Sequence, residues 1–436
     1  MSASDLQEYR SQARAWLTGN LERRPGTAQP RYDERHIAAH RQIQRRLFDG
    51  GYAGISWPAE YGGGGLTEAH ERAFAEEAEA FETPDFGVLS VTTFGSCVPT
   101  MIKHADPAYL GRHVPRVLRG EELWCQFFSE PAAGSDLAGI RTKATRQPGK
   151  GQDGERWVLS GAKTWSSYAH LADWAMCLAR TRWDVPKHRG LTWFAVPLNA
   201  AGLTVRQIRQ LTGSSGFCEE FLDDVVVPDT ERIGDLDKGW SVTSTLLYLE
   251  RGAGRPDTPE AAGDPGAICP DLVGMARLAG RLDDQGVRQR LVSSFIDDYV
   301  VAQVKARIAT AARLGSMDPG MASYGKLAVS QATAARGRAG LEIGGLMAVA
   351  WPQDAQDAAG AAAAFLASKA PGIAGGTEQM QRNAIAERVL GLPREPAYDI
   401  DVPFGEVLQR ARVWGGTGRA SQLVGSRTCR SKHITI

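Results

Sequence analysis

The chain has 436 residues, with 50 Lys and Arg against 50 Asp and Glu, so its formal net charge is zero. This balance excludes a strongly basic nucleic-acid binder as the first interpretation, and it gives no electrostatic attraction to an anionic membrane. The length is typical of two or three domains, and 43% hydrophobic with 23% charged residues is ordinary for a soluble globular protein.

Residues 1–120 have the spacing of helices. Near the start, Leu6, Tyr9 and Ala13 fall on one helical face, and Ser4 has the position of a helix cap. Charged residues interrupt this segment, so it does not have the pattern of a signal peptide, and no apolar run is long enough to span a bilayer. We expect a cytoplasmic protein with an N-terminal helical domain.

The pattern changes after residue 120. Short aromatic or β-branched runs such as 174–178 and 191–196, separated by Gly, Asp and Pro, predict an antiparallel β domain over 121–234. Helical periodicity returns over 235–404 and predicts a helical bundle. The tail, residues 405–436, is basic and rich in Gly and Ser, so we expect it to be poorly ordered. The predicted fold class is α+β, in the order helices, β-barrel-like sheet, four-helix bundle.

Several common chemical motifs are absent from the sequence. There is no G-x-G-x-x-G, Walker or H-E-x-x-H motif, and the six cysteines are widely spaced. Such cysteines are typical of buried, reduced thiols. His36 and His40 share one helical face, but no third ligand lies nearby, so a metal site is not predicted.

Four segments, in this order, resemble signatures of the acyl-CoA dehydrogenase family of flavoproteins. They are Gly51–Gly63, Phe128–Thr142, Leu159–Ser167 and Gly375–Pro393. The second is very similar to the T-E-P-x-A-G-S-D signature, and the third matches the G-x-K-x-W strand. The resemblance implies the same order of helical, β and helical domains that the periodicity predicts, and a role in fatty acid metabolism.

The resemblance also implies FAD as cofactor, bound between the β domain and the C-terminal helices. Trp165 would pack against the flavin, and Ser167 would form a hydrogen bond near its N5. The implied cofactor-binding residues are Gln126, Phe128, Ser129, Gly134, Ser135, Trp165, Ser166, Ser167, Gly344, Gly345, Thr377 and Gln379. The implied substrate-binding residues are Ser135, Arg251, Gly375 and Gly376.

The implied reaction needs a carboxylate base. A thioester carbonyl acidifies the α-hydrogen, a carboxylate removes that proton, and the β-hydrogen leaves as hydride. Many family members have this glutamate where the present sequence has Gly375. Other members have the base on an earlier helix, directly before an arginine. The matching pair is Glu250 and Arg251, so the resemblance points to Glu250 as the catalytic base.

The sequence departs from the family at its usual subunit boundary. An R-x-T-F-G motif is missing after Arg251, and a Q-x-x-G-G element is only approximated by residues 342–345. The resemblance implies an acyl-CoA or acyl-carrier thioester as substrate, electron-transfer flavoprotein as electron acceptor, and a homodimer or homotetramer. Two alternatives remain: a same-fold flavoenzyme with other chemistry, such as a monooxygenase or desulfinase, and a non-catalytic partner subunit of a heteromer.

Overall fold

The computed structural model describes residues 3–24, 32–149, 154–250, 270–316, 320–349, 360–394, 396–397 and 399–414. Helices occupy both ends of the chain and strands lie in between. The predicted fold class and order of secondary structure are confirmed. In the described part of the chain, no helix combines the length and the apolar character that crossing a bilayer requires.

The α-helices described before the sheet are α1 (Ala3–Asn20), α2 (Glu34–Asp49), α3 (Glu68–Ala78), α4 (Val88–Thr92), α5 (Val98–His104) and α6 (Pro107–Leu118). Side-chain caps define the starts of two of them. Asp33 accepts a hydrogen bond from the backbone of His36 at the start of α2, and Asp106 accepts one from Tyr109 at the start of α6. A π-helical turn, Thr93–Cys97, joins α4 to α5.

The middle domain is one sheet of eight strands: β1 (Trp124–Phe127), β2 (Lys143–Gln147), β3 (Arg156–Ser167), β4 (Trp174–Arg180), β5 (Leu191–Pro197), β6 (Leu203–Ile208), β7 (Phe217–Pro228) and β8 (Arg232–Ile233). The strand order is β6-β7-β3-β2-β4-β5-β8, with β1 beside β4. Most pairs are antiparallel, but β1 runs parallel to β4. In the described strands this path ends at β6 and β8, so the barrel-like sheet of the sequence prediction is an open one.

The helices after the sheet are α7 (Gly239–Glu250), α8 (Pro270–Leu278), α9 (Gln285–Arg313), α10 (Met321–Gly344), α11 (Leu346–Val349), α12 (Ala361–Ala367), α13 (Glu378–Arg388) and α14 (Phe404–Trp414). Helix α10 packs against α8, α9, α12 and α13. Apolar residues of α8, α9 and α10, among them Leu272, Leu291 and Ile343, form the core of this domain.

The expectation of a poorly ordered tail is wrong for residues 404–414, which form helix α14. Phe404 at its start is buried against the middle domain. Its ring stacks on Trp183 at a centroid distance of 5.9 Å, and the Arg180 guanidinium lies 4.0 Å from the ring centre. The apolar and cation–π contacts of one aromatic residue therefore fix this segment. The rest of the predicted tail lies outside the described residues.

A buried histidine joins the first domain to the sheet domain. His113 on α6 lies between two carboxylates, with Nδ1 2.9 Å from Glu122 and Nε2 2.9 Å from Glu231. Burial alone lowers the pKa of an imidazole, but the two carboxylates outweigh it here and raise the pKa of His113 above its ordinary value. The two carboxylates thus stabilise the protonated form of this histidine between the two domains.

The His113 network predicts a pH-dependent stability. Because the pKa is raised on folding, the stabilisation is complete below about pH 6.5, the unfolded value, and is lost as the pH rises through the folded value. We expect His113→Gln to lower the free energy of unfolding by about 3 kcal/mol at pH 6 and by less at pH 9. Urea unfolding of both proteins at pH 6, 7.5 and 9 measures this difference. A difference that is the same at all three pH values would contradict it.

Candidate active site

Trp165 lies at an irregularity in the pairing of β3 with β7. The register passes from Thr164 opposite Glu219 to Ser166 opposite Cys218, so one residue of β3 is extra. Trp165 has a positive φ of 69°, and 58% of its surface is exposed. A β-bulge turns a side chain away from the normal alternation, and a non-glycine residue with positive φ costs free energy that functional sites often retain. The bulge therefore presents a large aromatic ring on the outer face of the sheet.

The segment after β1 runs alongside this bulge. The carbonyl of Ser129 accepts a hydrogen bond from the backbone N–H of Thr164, at 2.9 Å. Phe128 is half-buried, and its ring meets Trp193 edge-on at a centroid distance of 4.9 Å. Two of the sequence motifs thus meet in the fold, with Ser129 bonded to the residue directly before Trp165.

A buried ion pair holds the two motifs together. Lys163 Nζ lies 2.9 Å from Glu130 and also donates to the Phe128 carbonyl at 3.1 Å, and both charged side chains are almost fully buried. Glu130 in turn accepts hydrogen bonds from the backbone N–H groups of Arg141 and Thr142 at 2.6 and 2.8 Å. Burial favours the neutral acid, but the Lys163 ammonium and these hydrogen bonds keep the pKa of Glu130 below its usual range.

A second buried carboxyl group lies on the neighbouring strand, opposite Lys163. Glu220 on β7 is paired with Lys163 in the strand register. Burial raises its pKa to about 7, against the opposing effects of the Ser166 hydroxyl and the Lys163 charge. Its Oε1 has no hydrogen-bond partner within the described ranges. Lys163 therefore has two buried carboxyl groups as neighbours, one with a lowered pKa and one with a raised pKa.

Ser166, a predicted cofactor contact, has a partner inside the sheet. Its side chain is buried, and its hydroxyl donates a hydrogen bond to Glu220 at 3.0 Å. This hydroxyl therefore has a structural role, and its contact with a cofactor stays a prediction. Ser167, the next residue, is only half-buried.

Gln126 lies at the junction between the sheet and the first helical domain. Its side-chain amide donates to the hydroxyl of Ser96 in the π-helical turn, at 2.9 Å. The neighbouring thiol of Cys97 is buried, and its pKa is raised to about 12 by burial and, further, by the negative charge of Glu250. Helix α7 packs against this turn, so Glu250 at its end lies near Cys97. π-Helical turns recur at functional sites.

Glu250 and Gly375 meet although 125 positions separate them in the sequence. Glu250 is half-buried, and Gly375 has a positive φ of 64°. A Cβ atom at Gly375 would lie 3.8 Å from Oε1 of Glu250 and 3.6 Å from Cε of Lys326. The carboxylate of α7 therefore lies beside the glycine that replaces the usual glutamate of the family.

The residues after Gly375 begin helix α13. Gly376 also has a positive φ, and the Thr377 hydroxyl caps the helix by accepting a hydrogen bond from the Met380 N–H at 3.2 Å. Gln379 is exposed in the first turn. Thr377 thus has a clear structural role at this position, while the side chain of Gln379 remains accessible.

Other predicted site residues lie apart from this group. Gly134 and Ser135 are exposed after the turn that Glu130 starts. Gly344 is buried, and a Cβ atom there would lie 2.5 Å from Ala348, so close packing alone requires glycine. Gly344 and Gly345 are about 27 Å along α10 from Lys326 at 1.5 Å per residue. This chain therefore does not bring them to Glu250. Arg251 lies outside the described residues.

Four charged residues near the site were not among the predicted site residues: Glu130, Lys163, Glu220 and Lys326. A signal for the first pair was present, because both residues lie inside family-like motifs and a lysine within an apolar strand needs a buried partner. Glu220 and Lys326 carry no such signal, since only the folded chain brings them next to their partners. Within the described ranges, no three His, Cys, Asp or Glu side chains cluster as a metal site would require.

Comparison with known proteins identifies the family. Family models described as the acyl-CoA dehydrogenase N-terminal, middle and C-terminal domains match residues 3–121, 125–225 and 237–390. The chain belongs to the acyl-CoA dehydrogenase family. The resemblance inferred from the four motifs is confirmed, and so is the assignment to this class of oxidoreductase.

Individual relatives cover nearly the whole chain. Acyl-CoA dehydrogenase IpdE1 of Mycobacterium tuberculosis is 34% identical over 400 residues, which are 90% of this chain and 99% of the relative. A solved structure described as the Tcur3481-Tcur3483 steroid ACAD has a TM-score of 0.67 at 24% identity, covering 91% and 99% of the two chains. The ChsE4-ChsE5 complex from Mycobacterium tuberculosis has a TM-score of 0.64 at 23% identity, with the same coverage. These two structures show the likeness of the fold.

The residues of the sheet surface fit the FAD that the family implies. The exposed ring of Trp165, raised on a bulge, offers an apolar plane of the kind that an isoalloxazine stacks on. The polar groups of Ser129 and Ser167 lie next to it in the same two segments. Burying this exposed ring against a ligand would be favourable. A planar ligand with polar edges could stack on the ring and form hydrogen bonds with the neighbouring polar groups.

Loss of Lys163 tests what holds this surface together. Lys163→Met leaves Glu130 buried without its counter-charge, and we expect the free energy of unfolding to fall by about 3–5 kcal/mol. The double variant Lys163→Met/Glu130→Leu should recover most of that loss, because it removes the buried charge as well. Lys143→Met, an exposed lysine on β2, should change stability by no more than about 0.5 kcal/mol. Urea unfolding measures all three, and a Lys163→Met protein as stable as the Lys143→Met control would contradict the assignment.

Proposed function

We propose that this protein oxidises an acyl-CoA thioester between its α and β carbons, with Glu250 as the catalytic base. The observation that carries the proposal is the 3.8 Å between Oε1 of Glu250 and the Cβ position of Gly375. Gly375 matches the position of the base in many family members. A carboxylate next to that position can reach the same α-carbon from a different helix.

The chemistry assigned to Glu250 is proton abstraction. The thioester carbonyl makes the α-hydrogen acidic, and the carboxylate takes it as a general base. The two electrons of the β C–H bond leave as hydride while a C=C bond forms. When bound, FAD supplies the acceptor for that hydride at its N5. Glu250 is half-buried and next to the buried Cys97 thiol, surroundings that exclude part of the water and strengthen a base.

We assign the cofactor to the surface around Trp165. The indole ring would pack against the flavin, with Ser129, Ser167 and the Phe128 segment at its polar edge. Gln379 and the Thr377 turn would contact it from α13, and the exposed Gly134 and Ser135 would approach the phosphates or the CoA. Arg251 remains the proposed contact for the CoA. Each assignment follows the family resemblance, and the exposure of Trp165, Gly134, Ser135 and Gln379 supports it for these four residues.

The names of the relatives indicate the class of substrate. IpdE1 is named an acyl-CoA dehydrogenase, and one fold relative is named a steroid ACAD. We therefore propose a CoA thioester as substrate, with a carrier-protein thioester as the alternative. The acyl group to be tested ranges from short branched acids to steroid side chains. Electron-transfer flavoprotein is the proposed acceptor of the electrons.

A second candidate is a subunit of a heteromeric acyl-CoA dehydrogenase. The fold relative ChsE4-ChsE5 is a complex of two named chains, and this sequence lacks the R-x-T-F-G motif of the usual subunit boundary. The presence of Glu250 beside Gly375 favours a catalytic subunit over a purely structural one. Native mass spectrometry of the protein expressed alone, and with its genomic neighbours of the same family, separates the homomer from the heteromer.

Glu250→Gln tests the assignment of the base. Anaerobic titration with butyryl-, isovaleryl-, octanoyl- and a steroid side-chain CoA should bleach the flavin absorbance of the wild-type protein with at least one thioester. We expect Glu250→Gln to slow that bleaching by about 10²–10⁴-fold, because an amide does not accept the α-proton. Glu406→Gln, an exposed glutamate on α14, is the matched control and should bleach at the wild-type rate.

Two results would oppose the proposal in different ways. Bleaching by Glu250→Gln at the wild-type rate would remove Glu250 as the base. Absence of bleaching by every thioester, in wild-type protein that carries flavin, would remove the dehydrogenase reaction and favour one of the alternative chemistries of the same fold.

A further inference from the structure

Gly375 leaves a methyl-sized space next to two oppositely charged side chains. A Cβ atom at this position would lie 3.8 Å from Oε1 of Glu250, 3.6 Å from Cε of Lys326 and 4.0 Å from Nζ of Lys326. The carboxylate comes from the end of α7, and the ammonium comes from α10. A side chain at residue 375 would contact both of them.

Lys326 is held in place by the segment that leads to Gly375. It is partly buried, and its Nζ donates a hydrogen bond to the Pro371 carbonyl at 2.6 Å. Because this contact fixes the end of a long, flexible side chain, the ammonium has a defined position beside the space. One further carboxylate is close: the pKa of Glu378 is lowered, chiefly by a hydrogen bond from Ser330, with the Lys326 charge adding to the effect.

The groups facing Glu250 are of two kinds in the described part of the chain. The π-helical turn contributes the Cys97 thiol, whose pKa is about 12 because of burial, so it remains neutral. Helix α10 contributes Lys326, with Glu378 of α13 behind it. The partly buried carboxylate therefore has one identified cation nearby, and a nearby cation favours the ionised form of a carboxyl group.

We propose that Lys326 is a positioning residue for Glu250, which keeps the carboxylate ionised and directed across the space left by Gly375. This inference rests on the proposed role of Glu250 as the base. With the base on helix α7, residue 375 can be glycine. Because glycine has no side chain, the Lys326 ammonium can approach the Glu250 carboxylate and stabilise its charge. The lysine itself does not take part in proton transfer.

The pH dependence of the reaction tests this role. The measured quantity is kcat/KM for anaerobic flavin reduction between pH 5 and 9, with the thioester that bleaches the wild-type protein fastest in the panel above. Removal of the cation makes the carboxylate easier to protonate, so the acid limb of the profile should move up by one to two pH units in Lys326→Met. The rate should fall about tenfold or more at pH 6 and stay within about twofold of wild type at pH 9.

Three further variants separate charge from structure. Lys326→Arg keeps the charge and should return the acid limb to within about 0.3 pH units of wild type. Lys326→Gln keeps a donor for the Pro371 carbonyl but no charge, and should shift the limb as Lys326→Met does. Lys305→Met, an exposed lysine on α9, is the control and should leave the profile unchanged. If Lys326→Met does not fold, the Gln and Arg variants give the same comparison.

The outcomes distinguish this inference from the proposed function. An unshifted acid limb in folded Lys326→Gln and Lys326→Met, with Glu250→Gln inactive, would overturn the role of Lys326 and leave the base in place. A loss of rate equal at every pH would also overturn it, since that is the signature of a purely structural residue. Normal α-proton removal by Glu250→Gln would overturn the proposed function, and this inference with it.

Discussion

The ion pair between Lys163 and Glu130 is the interaction on which the candidate site depends. It is buried inside the sheet domain and joins the segment after β1 to strand β3. Burying two charges costs solvation free energy. The hydrogen bonds that Glu130 accepts from Arg141 and Thr142, and the one that Lys163 donates to the Phe128 carbonyl, help to offset this cost. Because these contacts fix Phe128 and Ser129 beside Trp165, the exposed aromatic surface follows from a charged interior.

A second constraint arises at Gly375, where three distant parts of the chain meet. Helix α7 brings Glu250, α10 brings Lys326, and the turn before α13 has no side chain between them. The family usually has its base in that turn. Here a glycine with positive φ occupies the position. Under the proposed function the base comes from α7 instead, and its neighbours then include Lys326 of the helical bundle.

The sequence was sufficient to predict the fold, but it did not predict the contacts of individual side chains. Periodicity and four motifs were sufficient for the order of domains, because alternating and helical patterns report burial directly. The bulge that exposes Trp165 and buries Ser166 depends on the pairing of β3 with β7, which no local pattern in the sequence indicates. Aromatic anchoring of Phe404 likewise formed a helix where composition predicted disorder. The approach of Glu250 and Lys326 to Gly375 had no sequence signal, because it depends on how two helices and a turn pack.

The central claim is that Glu250 removes the α-proton of the substrate. Exchange of the α-hydrogen in D₂O, followed by mass spectrometry of the recovered acyl-CoA, measures that step apart from electron transfer. The account predicts that the wild-type protein introduces deuterium at the α-carbon, and that Glu250→Gln introduces none while it still binds the thioester. Exchange by Glu250→Gln at the wild-type rate would contradict the account.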